Sequence, residues 1–320
     1  MCGLVGTWSL ETSDHKKIVR EMSQKILHRG PDGFGIWSDK EQGLTFAHRR
    51  LAILDISEAG QQPMISKSNR YVLIYNGEIY NHLDLRDDIE KEEQNISWNG
   101  HSDTETLLAC IELWGLGSTL QKLNGMFAFA LWDAKKNELF LARDRLGEKP
   151  MYFGKIRNTF FFGSQLNSFS VHPEWNGEIN KDSIELYMRY GYVPNPRTIF
   201  KNFNKLPPGH FVKINQKDLK AEDPICFWEL DRTNNFIENK YSTDSHIKNL
   251  ERLLIDSVNK RMLSDVPLGA FLSGGIDSSL VVSLMQSISK KPIKTFSIGF
   301  NEESFNEAND AKKVAEHLGT

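Results

Sequence analysis

The spacing of hydrophobic and polar positions changes along the chain and predicts two regions. Before Tyr192, short runs rich in apolar and aromatic residues, separated by polar turns, predict β-strands. Apolar residues at helical spacing, Ile18, Met22 and Ile26, predict a helix over residues 14–27. The first region is therefore expected to be rich in hairpins. The predicted strands cover residues 4–10, 34–38, 44–53, 71–75, 126–133, 138–144, 151–155 and 160–163.

Turn and cap signals separate these elements. Asn76-Gly77 is a strong tight-turn dipeptide and is expected to end the strand that begins at Tyr71. Residues 28–33 (HRGPDG) are too rich in Gly and Pro for regular structure, so we expect a shaped loop there. Residues 102–105 (SDTE) have the S-x-x-E form of a capping box, which predicts that a helix begins at this point.

A proline-rich and polar stretch over residues 192–244 predicts the junction between two domains. The pattern that follows predicts a helix from His246 and then two strands, each followed by a helix. The first of these helices is opened by a Gly-Ser-rich loop. Strands and helices in alternation predict a parallel α/β sheet. The ranges after the first helix are 266–272 for a strand, 273–279 for the loop, 295–300 for a strand and 303–318 for a helix.

Composition narrows the class of partner. The chain has 320 residues, of which 39% are hydrophobic and 25% charged, with a formal net charge of -3. This balance favours neither nucleic acid nor an acidic membrane, and no apolar run approaches the length of a membrane span. Cys2, Cys110 and Cys226 lie far apart, which argues against a disulfide framework or a zinc site and agrees with a reducing cytosol. We therefore expect a cytoplasmic protein whose partners are small molecules.

Cys2 directly follows the initiator methionine. If Met1 is removed, as is usual before a small residue, one residue carries both a thiol and a free α-amine, so a nucleophile and its base occur together. An α-amine has a reference pKa of about 7.7 to 8.0, so a fraction is uncharged near neutral pH and can accept the thiol proton. The alternative is a cysteine that occurs at position 2 by chance and packs as a small hydrophobic residue.

Residues 273–279 (SGGIDSS) predict a phosphate-binding loop. Glycines let the backbone approach a ligand closely, and the N–H groups at a helix N-terminus favour anions. No lysine follows at P-loop spacing, so the loop differs from that of ATPases that cleave the terminal phosphate. Asp277 supplies a carboxylate that can reach a magnesium ion bound to phosphates. A turn that only caps a helix is the alternative interpretation.

Together these motifs resemble those of the glutamine-hydrolysing asparagine synthetases. That family joins a glutamine amidotransferase domain with an N-terminal cysteine to an N-type ATP-pyrophosphatase domain. The resemblance extends over the whole chain, through independent segments in the order of the family. The seven segments are residues 1–3 (MCG), 28–32 (HRGPD), 48–53 (HRRLAI), 75–81 (YNGEIYN), 102–105 (SDTE), 142–147 (ARDRLG) and 272–279 (LSGGIDSS).

The resemblance implies a fold and a division of the chain. Residues 2–215 would form an α+β domain of the N-terminal-nucleophile type, an αββα sandwich with two antiparallel sheets between helical layers. Residues 216–245 would be a linker, and residues 246–320 the beginning of an α/β, parallel-sheet ATP-pyrophosphatase domain. Members of the family are longer, so we expect this chain to be truncated at its C-terminus. It would cleave glutamine without completing amide synthesis.

The resemblance also implies catalytic roles. Cys2 would attack the side-chain amide of glutamine to give a thioester and ammonia. The Asn76 side chain and the Gly77 backbone N–H would form the oxyanion hole, where hydrogen-bond donors stabilise charge that develops only in the transition state. Arg29 would support the loop beside Cys2. Asn76-Gly77 as a plain hairpin turn is the alternative.

A second group of residues would bind glutamine. Arg50 suits the α-carboxylate because its guanidinium can contact both oxygens, and Asp103 and Glu78 suit the α-ammonium. The alternatives are a surface cation at Arg50 and a helix-start charge at Asp103. The full implied set is Arg50, Leu51, Ile53, Leu54, Asn76, Gly77, Glu78 and Asp103.

In the second domain the resemblance implies that ATP adenylates aspartate, that ammonia then displaces AMP, and that asparagine and diphosphate are formed. Mg²⁺ would accompany ATP, with Asp277 as its protein ligand. No prosthetic group is implied. The implied ATP-binding residues are Leu272, Ser273, Gly274, Gly275, Asp277, Ser278, Ser279 and Ile298.

Other functions stay open at this point. A related enzyme could transfer the amide to a sugar acid or an antibiotic precursor, and the chain could act as a glutaminase alone. A non-catalytic sensor of glutamine or nucleotide would not need Cys2. Glutamine, aspartate and ATP are the expected partners, and whether the chain forms a homodimer stays open.

Overall fold

The structure is a computed structural model, and it describes residues 1–10, 15–93, 96–230, 242–302 and 306–320. The chain forms two compact units, Met1–Leu230 and Asp231–Thr320. The first unit is built mainly from β-strands, and the second from helices and a short parallel sheet.

Twelve strands of the first unit form two sheets within the described residues. They are β1 (Gly3–Ser9), β2 (Gly33–Asp39), β3 (Leu44–Arg50), β4 (Met64–Ile65), β5 (Tyr71–Ile79), β6 (Gly125–Asp133), β7 (Glu138–Arg143), β8 (Tyr152–Ile156), β9 (Thr159–Gly163), β10 (Phe203–Lys205), β11 (His210–Ile214) and β12 (Ile225–Cys226). The first sheet has the order β10-β8-β9-β1-β3-β2 and the second the order β12-β11-β7-β6-β5-β4. Neighbouring strands are antiparallel in both sheets.

The two sheets face each other across an apolar core, in which the rings of Trp8 and Trp132 meet edge to face at 5.3 Å. Helix α1 (Lys16–Gln24) packs on the outer face of the first sheet, while α2 (His82–Glu92) and α3 (Asp103–Lys122) pack on the second. Each large apolar side chain buried in these layers contributes about 1.5–3 kcal/mol. The layers confirm the αββα sandwich.

The helices differ in detail from the prediction. Helix α1 is shorter than the predicted 14–27: Asp14 lies outside the described residues, and Leu27–Arg29 form a separate 3-10 turn. Helix α3 begins at the predicted cap, where the Ser102 hydroxyl accepts from the Glu105 N–H at 3.2 Å. Helix α2 was not predicted, nor was α4 (Lys181–Tyr190). Within the predicted loop at 28–33, the side chain of Arg29 is buried.

The tight turn predicted at Asn76-Gly77 is wrong, because β5 continues through both residues to Ile79. Gly77 has another reason to be glycine. A Cβ built on it would lie 2.3 Å from the main-chain oxygen of Met126, so only glycine lets β5 and β6 approach so closely here. The predicted strand 44–53 likewise ends earlier, at Arg50.

The second unit contains α5 (Thr243–Lys260), β13 (Gly269–Phe271), α6 (Ile276–Ile288), β14 (Lys294–Phe296) and α7 (Ala308–Leu318). The two strands are parallel, as predicted, although both are shorter than their predicted ranges. Leu272, Val282 and Ala311 form the buried centre of this unit. Residues 231–241 of the predicted linker and residues 303–305 of the last predicted helix lie outside the described residues.

Residues 216–230 belong to the first compact unit, since β12 pairs with β11 and Leu219 is buried in the core between the sheets. The functional limits 2–215, 216–245 and 246–320 stay predictions. Among the helices of the described ranges, none is long and apolar enough to cross a membrane.

Candidate functional site

One pocket of the first unit brings together all but one of the residues that the sequence analysis assigned to glutamine chemistry. They come from the residue before β1, from strands β3 and β5, from the loop after β3 and from the start of α3, so they converge only in the folded chain. The remaining residue, Arg29, contacts the pocket from behind: its Nε donates to the Cys2 carbonyl at 3.0 Å. The predicted residues that line the pocket are Cys2, Arg50, Leu51, Ile53, Leu54, Asn76, Gly77, Glu78 and Asp103.

The Cys2 thiol lies against the chain that follows β3. The Leu51 N–H donates to its sulfur at 3.3 Å, and the sulfur lies 3.6 Å from the Leu51 carbonyl. Burial raises the pKa of this thiol, while the Leu51 hydrogen bond and the amino terminus oppose the shift. The thiol is therefore protonated near neutral pH, and attack on a substrate requires a group that removes its proton.

The amino terminus is an electrostatic neighbour of this thiol. Burial lowers the pKa of the terminal amine, carried here by Met1; the Cys2 thiolate opposes this shift, and the cations of Arg29 and Lys149 add to it. A lowered pKa leaves more of the amine uncharged at neutral pH, which suits a proton acceptor.

The Asn76 side chain carries an unusual feature. It is 1% exposed, and its Nδ2 has no hydrogen-bond partner within the described part of the chain. A buried amide donor left unpaired costs about 1–3 kcal/mol. Because Asn76 lines the pocket with Cys2, a ligand oxygen can satisfy this donor.

The Gly77 N–H lies on the same strand edge. Tyr75 and Ile79, two residues before and after it, donate their N–H groups away from β6, to Gln62 Oε1 at 2.6 Å and to Asp103 Oδ2 at 2.9 Å. Main-chain N–H groups two residues apart in a strand point to the same side. The Gly77 N–H therefore also points away from β6, between two side chains that border the pocket.

The partner strand agrees with this direction. Phe127, which lies opposite Gly77, uses both of its main-chain groups on Asp144: its N–H donates to Oδ2 at 3.1 Å, and its carbonyl accepts from the Asp144 N–H at 2.8 Å. Gly77 and Phe127 thus form a non-hydrogen-bonded pair of the ladder.

Asp103 is the first residue of α3 and is 5% exposed. Its Oδ2 accepts from the Tyr75 hydroxyl at 2.7 Å and from the Ile79 N–H. Burial raises the pKa of this carboxyl, and these two hydrogen bonds oppose the shift. A ligand cation that entered the pocket would stabilise the charged carboxylate.

Fewer N–H groups of Arg50 are available to a ligand than the sequence suggested. Its Nη1 donates to the Ser57 carbonyl at 2.9 Å, and its Nη2 to the carbonyls of Leu54, at 3.5 Å, and Asp55. Three of its hydrogen bonds therefore hold the loop after β3. Only the remaining N–H groups can meet a carboxylate, so the two-oxygen contact predicted for its fork stays a prediction. Gly60 permits this arrangement, since a Cβ there would lie 2.1 Å from Arg50 Nη2.

Sequence reasoning missed Asp55, which links the Arg50 loop to the start of α3. Its Oδ1 accepts from the Ser57 hydroxyl at 2.5 Å and its Oδ2 from the His101 N–H at 2.8 Å. Burial by itself raises the pKa of this carboxyl, but the hydrogen bonds from Ser57 and His101 outweigh it and hold the pKa below its usual value. Asp55 therefore couples the positions of Arg50 and Asp103.

Sequence reasoning also assigned no role to the single residues His48, Gln62 and Tyr75. His48 bridges the two sheets, because its Nε2 lies 3.0 Å from the Tyr75 carbonyl. Complete burial lowers the pKa of this histidine to about 3, so it is neutral. No local sequence signal marks it, since its partner lies in the other sheet.

The second unit contains a cavity beside the Gly-Ser loop, lined by four of the predicted residues: Leu272, Ser273, Ser278 and Ile298. Gly274, Gly275, Asp277 and Ser279 are close in sequence but do not line it. The loop is tight: Gly274 has a φ of +81°, and the Ser279 hydroxyl donates to the Gly275 carbonyl at 2.7 Å.

The residues around the loop fit a magnesium ion that arrives with a nucleotide. Asp277 lies in the first turn of α6 and directly precedes Ser278, whose hydroxyl lies 3.0 Å from that of Ser273; Mg²⁺ prefers oxygen ligands of these kinds. No group of three or more His, Cys, Asp or Glu side chains that could hold a metal occurs in the described ranges.

Comparisons with known proteins identify the families that the two parts of the chain resemble. The family model of the glutamine amidotransferase domain matches residues 1–225, and that of asparagine synthase matches residues 249–320. The chain is 38% identical over 323 aligned positions to asparagine synthetase [glutamine-hydrolyzing] 1 of Bacillus subtilis, covering 100% of this chain and 49% of the relative. It is 37% identical to a putative asparagine synthetase [glutamine-hydrolyzing] 2 of Methanocaldococcus jannaschii, covering 100% of this chain and 64% of the relative.

The chain thus spans roughly half to two thirds of the length of these two relatives. Among solved structures, glutamine phosphoribosylpyrophosphate amidotransferase from B. subtilis is similar with a TM-score of 0.52 and 19% identity, over 95% of this chain and 68% of that chain. This similarity supports the N-terminal-nucleophile fold. The chain belongs to the glutamine amidotransferase domain family over residues 1–225, followed by the start of an asparagine synthase domain.

Proposed function

We propose that the first unit hydrolyses the side-chain amide of glutamine with Cys2 as nucleophile. The observation that carries this proposal is the buried, unpaired Nδ2 of Asn76 in the pocket that Cys2 lines. The Gly77 N–H, which lies on the same strand edge, would supply a second donor. Both donors would face the oxygen on which a tetrahedral intermediate carries negative charge.

The chemistry follows from the groups in the pocket. The terminal amine, carried by Cys2 once Met1 is removed, accepts the thiol proton while the sulfur attacks the amide carbon. Asn76 and Gly77 donate hydrogen bonds to the resulting oxyanion. The amine returns the proton to the leaving nitrogen, the C–N bond breaks, and ammonia and a thioester are formed. Water then hydrolyses the thioester to glutamate and regenerates the thiol.

Substrate recognition is proposed for the polar ends of the pocket. Asp103, held by Tyr75 and Ile79, would receive the α-ammonium together with Glu78. Arg50 would contact the α-carboxylate through the N–H groups that the loop leaves available. Leu51, Ile53 and Leu54 form the adjoining wall.

For the whole protein we propose glutamine-dependent asparagine synthesis in the cytoplasm, with aspartate as acceptor and ATP as the activating substrate. The names of the relatives and the loop at 273–279 support this proposal. Mg²⁺ bound to ATP, with Asp277 beside it, would neutralise phosphate charge. An acceptor such as a sugar acid or an antibiotic precursor is the second candidate, because the amidotransferase pocket is the same for either acceptor.

Trapping of Cys2 tests the proposal. The purified chain is incubated with a diazo-ketone analogue of glutamine, and the intact mass and N-terminal peptide are measured. We expect loss of Met1 and one adduct on Cys2, together with ammonia release from glutamine that Cys2→Ala abolishes. Ammonia release that persists in Cys2→Ala would contradict the proposal. Absence of both adduct and ammonia release would favour a sensor.

A further inference from the structure

Lys149 is a buried cation that the proposed chemistry does not use. It lines the Cys2 pocket but is only 6% exposed. Within the described residues its ammonium makes neither a hydrogen bond nor an ion pair. Burial lowers its pKa, and the neighbouring carboxylates of Glu78 and Glu148 oppose this shift. An unpaired buried charge is costly, so the pocket holds this cation at a price in stability.

The backbone that carries Lys149 is held rigidly by Asp144. Its Oδ1 accepts from the N–H groups of Leu146 and Glu148, at 3.1 and 2.9 Å. Its Oδ2 accepts from the Lys149 N–H at 2.9 Å. One buried carboxylate therefore organises the whole turn.

Arg143 holds the same turn from the other side. Its Nε donates to the Lys149 carbonyl at 2.8 Å, and its Nη2 to the Gly147 carbonyl at 2.6 Å. Gly147 has a φ of +72°, and a Cβ on it would lie 3.0 Å from the Arg143 guanidinium. These contacts fix the point from which the Lys149 side chain enters the pocket.

The charged groups around the amino terminus set the context. Arg29 and Lys149 are its cationic neighbours, and Cys2 and Glu78 its anionic ones; Asp103 and Arg50 act on the adjacent thiol. The two cations differ in their bonding. Arg29 Nε donates to the Cys2 carbonyl, although its Nη2 has no partner within the described residues. The Lys149 ammonium makes no hydrogen bond or ion pair there, so it can act only through its charge.

We propose that Lys149 is a positioning residue for glutamine hydrolysis, whose ammonium keeps the neighbouring amino terminus uncharged and therefore able to accept the Cys2 proton. The inference rests on the proposed function. Removal of Met1 places the amine on Cys2 itself, which shares the pocket with Lys149. The ammonium of Lys149 repels the positive charge of a protonated amine in the same pocket. This repulsion is screened less in the buried pocket than it would be in bulk water.

The pH dependence of glutamine hydrolysis tests the proposal. kcat/KM is measured from about pH 5 to about pH 9 for the native chain and for Lys149→Met, Lys149→Gln and Lys149→Arg. Loss of the cation raises the pKa of the amine, so the acid limb should move up by about one pH unit in the Met and Gln variants, as expected when one neighbouring charge is removed. At pH 6 this shift is about a tenfold loss. The Arg variant should retain the native limb.

A matched control and a second readout separate charge from structure. Lys155, which does not line the Cys2 pocket and whose Nζ donates to the Asp218 carbonyl, is replaced by Met and should leave the limb in place. The N-terminal amine is also titrated directly in each variant, from the pH dependence of its acetylation followed by mass spectrometry of the N-terminal peptide. The amine of Lys149→Gln should titrate about one unit higher.

The outcomes are distinguishable. A native chain that hydrolyses glutamine while the limb and the amine titration of Lys149→Gln stay at their native positions would overturn the inference and leave the proposed function intact. A native chain without glutamine hydrolysis would overturn the proposed function. If the Met and Gln variants do not fold, the Lys149→Arg variant still tests the inference. An acid limb of its kcat/KM profile that is displaced from the native position would contradict a role through charge.

Discussion

The Cys2 pocket and the Gly-Ser loop of the second unit differ in how their polar groups are held. In the pocket, buried partners orient each group, as Tyr75 and Ile79 orient Asp103, and Asn76 keeps one donor unpaired. In the loop, exposed serines bond to one another and to the loop backbone, as Ser273 and Ser278 do at 3.0 Å. The neighbouring Ile276 and Ile298 are 88% and 70% exposed. The pocket is therefore preorganised for a small ligand, whereas the loop presents its groups to solvent.

Removing the Cys2 thiol should produce the largest difference between the pocket and the Gly-Ser loop. Cys2→Ala should reduce glutamine hydrolysis by more than about a thousandfold, because no other thiol lines the pocket. Binding of a fluorescent ATP analogue should be unchanged, since Cys2 belongs to the other unit. Ammonia release and fluorescence anisotropy measure the two effects. A parallel loss of nucleotide binding would show that the two sites are not independent.

Removing the unpaired donor should have the next largest effect. Asn76→Ala should lower kcat about a hundredfold or more with a small change in KM, because its Nδ2 acts on charge that appears in the transition state. Steady-state kinetics measure both constants. A rise in KM at constant kcat would instead assign Asn76 to ground-state binding.

A substitution at Gly60 should displace the Arg50 side chain from the position in which the loop holds it. Gly60→Ala places a Cβ 2.1 Å from Arg50 Nη2 and 2.5 Å from the Asp55 carbonyl, so Arg50 must move. We expect KM for glutamine to rise about tenfold, the size of one weakened charge-assisted contact. Gly117→Ala is the control, because a Cβ there meets nothing within 4 Å. An unchanged KM in Gly60→Ala would remove Arg50 from substrate binding.

The smallest expected effect concerns stability and pH. Because burial lowers the pKa of His48 from 6.5 to about 3, only the unfolded chain binds its proton between these values. The folded chain is therefore not destabilised by His48 above pH 6.5. As pH falls from 6.5 toward 3, proton binding to the unfolded chain lowers the free energy of unfolding by about 1.4 kcal/mol per pH unit. His48→Gln, which keeps a donor for the Tyr75 carbonyl, should lose about 2 kcal/mol less than the native chain between pH 7 and pH 5.

Urea unfolding at the two pH values measures this difference, with His28→Gln on the surface as the control. Equal losses for the native chain and His48→Gln would show that His48 binds a proton in the folded chain as readily as in the unfolded one.

Much of the fold was readable because its signals are local. Short apolar runs between turn residues predicted most of the long strands, and the cap at Ser102 located the start of α3. The turn at Asn76-Gly77 was predicted wrongly because the dipeptide has two uses. A tight turn and a close approach of two strands both require glycine, and only the pairing of β5 with β6 distinguishes them.

The amino-acid sequence alone contained the motifs on which the proposed chemistry depends: a cysteine at position 2, the Asn-Gly pair, and a Gly-Ser loop between a strand and a helix. The tertiary structure alone decided which donor stays unpaired, how much of Arg50 the loop uses, and that Lys149 and His48 are buried beside these groups. The physical reason is that motifs depend on neighbours along the chain. Desolvation and hydrogen-bond partners depend on groups that the chain brings together from distant positions.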